Sequence, residues 1–236
     1  MTDNISILIP TYNRRNFYPL IVRNLKCQDY DHKKLEVIID DDSPIKLNKE
    51  ELHQLQIAIY PIKLIYLKYP HKRSIGEKRN NLVKNSKNKI VCFMDTDDFY
   101  QSTYISHSYE TLKKNKVGCV GSNKLFMLYA PYTGDNVYFL TCGDKKELIH
   151  ECTIMFTKKW FNSSPKFNKG SCGEGKKLFE KNIKSVALTD PTMLMFQLCH
   201  ENNTIDKSQF KDNKITNVEI NEEITEFISK VVGVNS

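Results

Sequence analysis

Ile90-Val91-Cys92-Phe93-Met94-Asp95-Thr96-Asp97-Asp98 sets an unbroken apolar run directly against three carboxylates. A short apolar run fits a strand buried on both faces, and a polar cluster behind it marks where that strand leaves the core. The same figure occurs twice upstream. Ser6-Ile7-Leu8-Ile9, stopped by Pro10, leads into Thr11-Tyr12-Asn13-Arg14. Glu36-Val37-Ile38-Ile39 runs into Asp40-Asp41-Asp42-Ser43-Pro44. Leu64-Ile65-Tyr66-Leu67 is a further apolar run of strand length.

Helical spacing separates these runs. Phe17, Leu20, Ile21 and Leu25 share one face, with Pro19 near the helix start where its missing N–H is tolerated. A second helix begins near Gly76 and carries Leu82 and Val83, and a third begins near Ser102 with Tyr104, Ile105 and Leu112. Strand, helix, strand, strand, helix, strand predicts an α/β fold of Rossmann-like type, its largely parallel central sheet flanked by helices. The second half reads as mixed or antiparallel: Val117 to Tyr129, Val137 to Cys142 and Cys152 to Thr157 are strand-like and joined by polar loops. Ile224, Phe227, Ile228 and Val231 predict a closing amphipathic helix, which could pack on its own domain or on a second copy in a homo-oligomer. No repeat or Pro/Gly/Ser-rich linker divides the chain. One domain over residues 1–236 is predicted, with a first half to about 115 and a second from 116 onward.

Composition narrows the partners. A chain of 236 residues with 40% hydrophobic and 27% charged side chains can bury a substantial core. The formal charge of +7 attracts anions. Its basic residues are scattered, which favours a solvated surface over a nucleic-acid tract. Seven cysteines, at 27, 92, 119, 142, 152, 172 and 199, include no Cys-x-x-Cys pair, and several lie in apolar runs. They read as buried thiols of a reducing compartment, not as a zinc site. With no apolar leader at the N-terminus and no apolar run of about 18 residues, a cytoplasmic protein is expected, one that meets a membrane only at its periphery.

Ligands of open α/β sheets bind beyond the carboxyl ends of the strands. If the early strands are parallel, all three polar clusters lie on one sheet edge. Asp95 and Asp97, followed by Asp98, concentrate negative charge that repels itself unless a cation is present. Carboxylate oxygens of this kind suit Mg²⁺ or Mn²⁺, which keep positions open for substrate phosphates. Asp40 to Asp42 could accept hydrogen bonds from a base N–H or a ribose hydroxyl. Either cluster alone is accounted for by Asx turns and helix caps. Two such clusters on one sheet edge are harder to explain that way.

The motifs together resemble family 2 glycosyltransferases, which have the GT-A fold. Ile7 to Arg14 resembles that family's opening strand. Val37 to Ser43 resembles its second strand and paired aspartates, with Asp42 where the family usually has glycine or asparagine. Ser74-Ile75-Gly76-Glu77-Lys78-Arg79-Asn80 resembles its Gly…Arg-Asn helix start, and Phe93 to Asp98 its Asp-x-Asp metal motif. The resemblance covers roughly residues 5 to 115. It implies a metal-dependent, inverting, hexosyltransferase-like enzyme. The donor would be a nucleotide sugar, UDP-linked, and the acceptor a hydroxyl on a glycan, protein or lipid. Pro10, Thr11, Tyr12, Asn13, Arg14, Asp40, Asp41, Arg79, Asp95 and Thr96 would then bind the nucleotide, with Lys72 or Arg73 also near the diphosphate. Asp97, Asp95 and His200 would hold Mn²⁺ or Mg²⁺.

The family also needs a catalytic base, often in a Glu-Asp pair, and this sequence has no Glu-Asp dipeptide. Glu174 in Ser171-Cys172-Gly173-Glu174-Gly175-Lys176 is the candidate, although Gly175 stands where the family has aspartate. A carboxylate there could take the acceptor proton, or simply cap the following helix. His200, in the His-x-x-Asn-Thr pattern His200-Glu201-Asn202-Asn203-Thr204, is placed beside the metal or diphosphate by the same resemblance. Trp160 stands out among Tyr12, Tyr100, Trp160 and Phe161 as an aromatic that could stack on an acceptor.

Three rivals are weaker. A nucleotidylyltransferase needs a glycine-rich loop after the first strand, and no glycine precedes Gly76. A dinucleotide-binding domain needs Gly-x-Gly-x-x-Gly, which is absent. An inactive GT-A-like module that binds a glycan or partner is kept in play by the missing Glu-Asp pair.

Overall fold

A computed structural model describes residues 2–143, 145–170, 173–201, 203, 206–211, 213–215 and 218–233. Ser171, Cys172, Asn202 and Thr204 lie outside the described residues. The first half contributes β1 (Ile5–Thr11), α1 (Tyr18–Lys26), β2 (Leu35–Asp41), α2 (Lys49–Ile59), β3 (Lys63–Lys68), α3 (Ile75–Asn85), β4 (Ile90–Phe93), β5 (Phe99–Tyr100) and α4 (Tyr104–Lys114). The second contributes β6 (Cys119–Gly121), β7 (Lys124–Tyr129), β8 (Val137–Thr141), β9 (Met155–Thr157), α5 (Lys158–Asn162), α6 (Lys176–Lys181), β10 (Val186–Leu188), β11 (Met195–Cys199), β12 (Lys214–Ile215) and α7 (Glu222–Val232).

The main sheet runs β10-β6-β9-β4-β1-β2-β3. Every neighbouring pair in it is parallel except the two made by β9, which is reversed. β1 and β2 are buried along their whole length, their apolar centres Ile7–Ile9 and Val37–Ile39 packed in the core and their polar ends buried with them. A second, mixed sheet runs β12-β8-β7-β11-β5. One core cluster joins the two sheets, with Ile7, Val37 and Cys92 of the first packed with Tyr100, Leu125 and Met195 of the second.

Three sequence expectations change. The stretch between the second and third strands holds α2, which the sequence reading left out. Parallel strands need a crossover, and here an Asn48/Glu51 capping box starts a helix whose buried face is only Leu55 and Ile59. β3, expected to be covered on both faces, is the sheet edge and is only partly buried. The strand-like stretch from Val117 to Tyr129 is two strands, β6 and β7, which pair in different sheets. The C-terminal helix forms as expected and packs on its own chain: Ile228 and Val231 join Phe17 and Leu20 of the first half.

Candidate active site

Parallel pairing of β1 with β2 and β4 carries the three polar clusters to one sheet edge. Beyond that edge lies a cleft of about 960 Å³, lined by Pro10, Thr11, Tyr12, Asn13 and Arg14 from the exit of β1, and by Asp95, Thr96 and Asp97 from the exit of β4. Asn13 takes a positive φ of 51°, a conformation asparagine tolerates, and its N–H donates to Ser43 Oγ at 2.8 Å. Thr96 Oγ1 donates to the Pro10 carbonyl at 3.0 Å and ties the two exits together.

α3 aims its first turn at this edge. A Ser74/Glu77 capping box starts it. Gly76 lies so close to the segment before α6 that a Cβ would stand 1.7 Å from the Asn168 carbonyl oxygen. Arg79 is 3% exposed. It donates from Nη2 to Asp95 Oδ2 at 3.1 Å and from Nε to Glu174 Oε1 at 2.9 Å. Burial alone would lower its pKa, but Asp95, Glu174 and Glu151 outweigh that and raise it. Its Nη1 is buried without a partner. An unpaired donor on a fixed cation at the cleft wall suits a phosphate oxygen.

The aspartates after β2 occupy a different place from the cleft wall. Asp40 takes hydrogen bonds from Arg73 and, at 2.7 Å, from Asn81 Nδ2. Asp41 accepts from the Ser43 N–H at 2.8 Å and from the Tyr66 hydroxyl. Asp42 pairs with Lys78 and accepts from the Arg73 N–H at 2.6 Å. All three are buried. What reaches the cleft is the cations they hold, Arg73 and Lys78, together with Lys72, whose Nζ lies 4.4 Å from the Tyr12 ring centroid. Arg73 and Lys78 thus stand between the β2 aspartates and the cleft. Buried salt bridges of this kind fix the position of the cation more than they stabilise the fold.

Asp97 accepts from Arg14 Nε at 3.0 Å, and His200 Nε2 lies 3.4 Å from the same oxygen. Burial works against the Asp97 charge, but His200 and Arg14 prevail and hold its pKa below the ordinary carboxylate range. Asn203 orients the histidine, its Oδ1 accepting from the His200 N–H at 2.8 Å. Asp95 Oδ1 and His200 Nδ1 are buried and have no hydrogen-bond partner. The unpaired Asp95 Oδ1 suits a divalent cation such as Mn²⁺ or Mg²⁺, while Asp97 and His200 pair with each other and do not close with Asp95 into a three-ligand group. Asp95, Asp98 and Cys152 also bring one potential ligand atom each within 4.8 Å of one another. Burial pushes the Cys152 thiol well above its usual range, and burial with Asp97 and Asp95 does the same to Asp98. These shifts arise from burial and from crowding of like charge, and a bound cation would relieve the crowding.

Glu174 lines the cleft next to Arg79, 4% exposed, just before α6. Glu151, which the sequence reading missed, lines it too. It opens the short 3-10 turn Glu151–Thr153 ahead of β9, and because β9 is reversed this turn lies at the exit of β4. No local sequence pattern marks it. Trp160, expected as a stacking platform, is instead core: it is 5% exposed and packs against Phe156 and Phe179. Tyr100 and Phe161 are buried as well. The cleft lining also includes Leu125, Leu140, Leu148, Ile149 and Phe210, and the cations Lys176 and Lys207.

Comparison with known proteins agrees with this geometry. A UDP-Glc:alpha-D-GlcNAc-diphosphoundecaprenol beta-1,3-glucosyltransferase, WfaP, of Escherichia coli is 26% identical over 137 residues, which is 58% of this chain and 49% of that protein. The mannosyltransferase PcManGT from Pyrobaculum calidifontis, in complex with GDP-Man and Mn²⁺, superposes with a TM-score of 0.66 at 15% identity, covering 86% of this chain and 59% of its own. S. aureus TarS 1-349 in complex with UDP-GlcNAc gives 0.62 at 14% identity, covering 85% and 60%. The chain thus spans about half the length of the curated relative and three fifths of the solved chains. Residues 6–127 match the family model described as Glycosyl transferase family 2, and the chain belongs to that family.

Proposed function

We propose that this chain transfers a hexose from a UDP-linked donor to a hydroxyl of a lipid-linked glycan, with Mn²⁺ or Mg²⁺, as one catalytic unit. The observation that carries the reading is the meeting, on one sheet edge, of Arg79, whose Nη1 is an unpaired donor, with Asp95, whose Oδ1 is an unpaired acceptor. A cation held by Asp95, with Asp97 and His200 beside it, would neutralise charge on the departing diphosphate. Arg79 and Lys78 would bind the phosphates, and Tyr12 with Lys72 and Arg73 would bound the nucleoside end. Asp40 and Asp41 would contribute to base recognition by holding that wall in place.

The acceptor side supports a lipid-linked substrate through its composition. Apolar Leu125, Leu140, Leu148, Ile149 and Phe210 offer a greasy wall, and Lys176 and Lys207 offer cations for a diphosphate linkage. The name of the Escherichia coli relative points the same way. Among the described residues no helix is long and apolar enough to cross a membrane, so contact with a lipid-linked acceptor would be made at this rim.

The test is thermal stabilisation by UDP, GDP and a panel of UDP-sugars, with and without Mn²⁺. A ligand that binds only the folded state raises Tm by mass action, so no acceptor is needed. The expected result is metal-dependent stabilisation by UDP and one UDP-sugar. Stabilisation by no nucleotide would overturn the transferase reading in favour of an inactive binding module.

A further inference from the structure

Gly175 stands where the family resemblance calls for the aspartate of the Glu-Asp pair. Its backbone is ordinary, with φ −87° and ψ −10°, so its conformation does not require glycine. What excludes a side chain is packing. A Cβ at 175 would stand 2.9 Å from Glu151 Oε1, 3.1 Å from Glu151 Cγ and 2.7 Å from the Phe179 ring. Glu151 Oε1 also accepts a hydrogen bond from the Gly175 N–H at 2.9 Å. The carboxylate of Glu151 therefore occupies the space into which a residue at 175 would project, and it faces the cleft. Glu174 is placed differently: it is buried, and its Oε1 accepts from Arg79 Nε at 2.9 Å.

We propose that Glu151, supplied from a different element of the fold, is the general base of this enzyme in place of the missing aspartate, and that Glu174 is a positioning residue acting through Arg79. The proposal rests on the transferase reading above. In the step, the acceptor O–H bond breaks and its proton passes to a Glu151 carboxylate oxygen. The electron pair of that bond stays on the acceptor oxygen, which uses a lone pair to bond to the anomeric carbon. The bond from that carbon to the diphosphate oxygen breaks, and its electron pair leaves with UDP. Burial, reinforced by the nearby Glu174 charge, raises the Glu151 pKa to about 7, which suits a base working near neutrality.

The experiment measures UDP release in the presence of Mn²⁺ from whichever of UDP-glucose, UDP-galactose and UDP-GlcNAc stabilises the wild type, with water as acceptor. UDP affinity is measured in parallel by calorimetry. Glu151→Gln keeps the acceptor for the Gly175 N–H and should stay folded. It is expected to slow release by about 100-fold or more, the ordinary contribution of a general base, with UDP affinity unchanged. Glu174→Gln should cost less than about tenfold, because glutamine still accepts from Arg79. The double change Glu151→Gly with Gly175→Asp returns a carboxylate to the same space and should recover at least about tenfold over Glu151→Gly alone. Wild-type turnover in Glu151→Gln, or full loss in Glu174→Gln alone, would overturn the assignment and leave the transferase reading standing. A wild type that neither binds UDP nor releases it would overturn both.

Discussion

Arg79 Nε donates to Glu174 Oε1 at 2.9 Å, and this pair, buried on both sides, links the first half of the chain to the second. The same guanidinium holds Asp95. Removing it leaves two carboxylates without their cation, one of them deeply buried. Arg79→Ala is therefore expected to destabilise the fold by about 3 kcal/mol or more. Arg79→Lys should rescue little, because an ammonium cannot reproduce the forked contacts. Urea denaturation measures both, and an Arg79→Ala variant as stable as the wild type would contradict the bridge.

Asp97 is held charged by Arg14 and His200. Its folded pKa is below the ordinary aspartate value, so its contribution to stability is present above that value and lost only as pH falls through the folded one. Asp97→Asn should flatten that acid limb. At neutral pH the same change should abolish the Mn²⁺-dependent part of stabilisation by UDP while leaving the metal-free part. Thermal melts at several pH values, with and without Mn²⁺, read both effects.

For Glu151 the sign is opposite. Its folded pKa, about 7, lies above the ordinary glutamate value, so protonation favours the folded state. The stability this confers is full below the ordinary value and lost as pH rises through about 7. The rate should move the other way, rising with pH as the base loses its proton. The charged groups acting on it are Glu174, which raises its pKa, and Arg79, which lowers it. Glu151→Gln should remove the change in stability through this range and the corresponding limb of the rate profile together.

Gly76 packs against backbone, with the Asn168 carbonyl 1.7 Å from where a Cβ would be, and the Glu174 Cβ 3.3 Å away. Neither the start of α3 nor Asn168 and Glu174 can yield without moving Arg79 or Glu174 itself. Gly76→Ala is expected to cost about 2 kcal/mol, the range for overpacking a tight contact. Hydrogen exchange should show the loosening at 168–174 and α3, and little change in β1 and β2.

The sheet edge was legible in the sequence because both of its causes are local. Apolar runs of strand length dictate buried parallel strands, and the polar residues behind them must leave the core together. Pro10 to Arg14 and Asp95 to Asp97 were singled out in that way, and Arg79 and Glu174 through the family resemblance; the structure brings them to one cleft. Their roles there are part of the proposal. α2 escaped because only Leu55 and Ile59 are buried in it, with Leu52 partly so, and its periodic signal is faint.

What the sequence by itself determined is the alternation of apolar strands and helices in the first half, short of α2, and most of the groups at the carboxyl edge, since burial of apolar runs leaves few alternatives. Only the tertiary structure decided how those groups divide the work. Asp40, Asp41 and Asp42 are spent holding Arg73, Tyr66 and Lys78, and those partners lie far away along the chain. Glu151 reaches the site because β9 runs opposite to β4, which brings the residues before β9 to the exit of β4. Strand direction depends on long-range pairing, and residues 151–157 carry no local trace of it, so the carboxylate beside Gly175 becomes visible only in the folded chain.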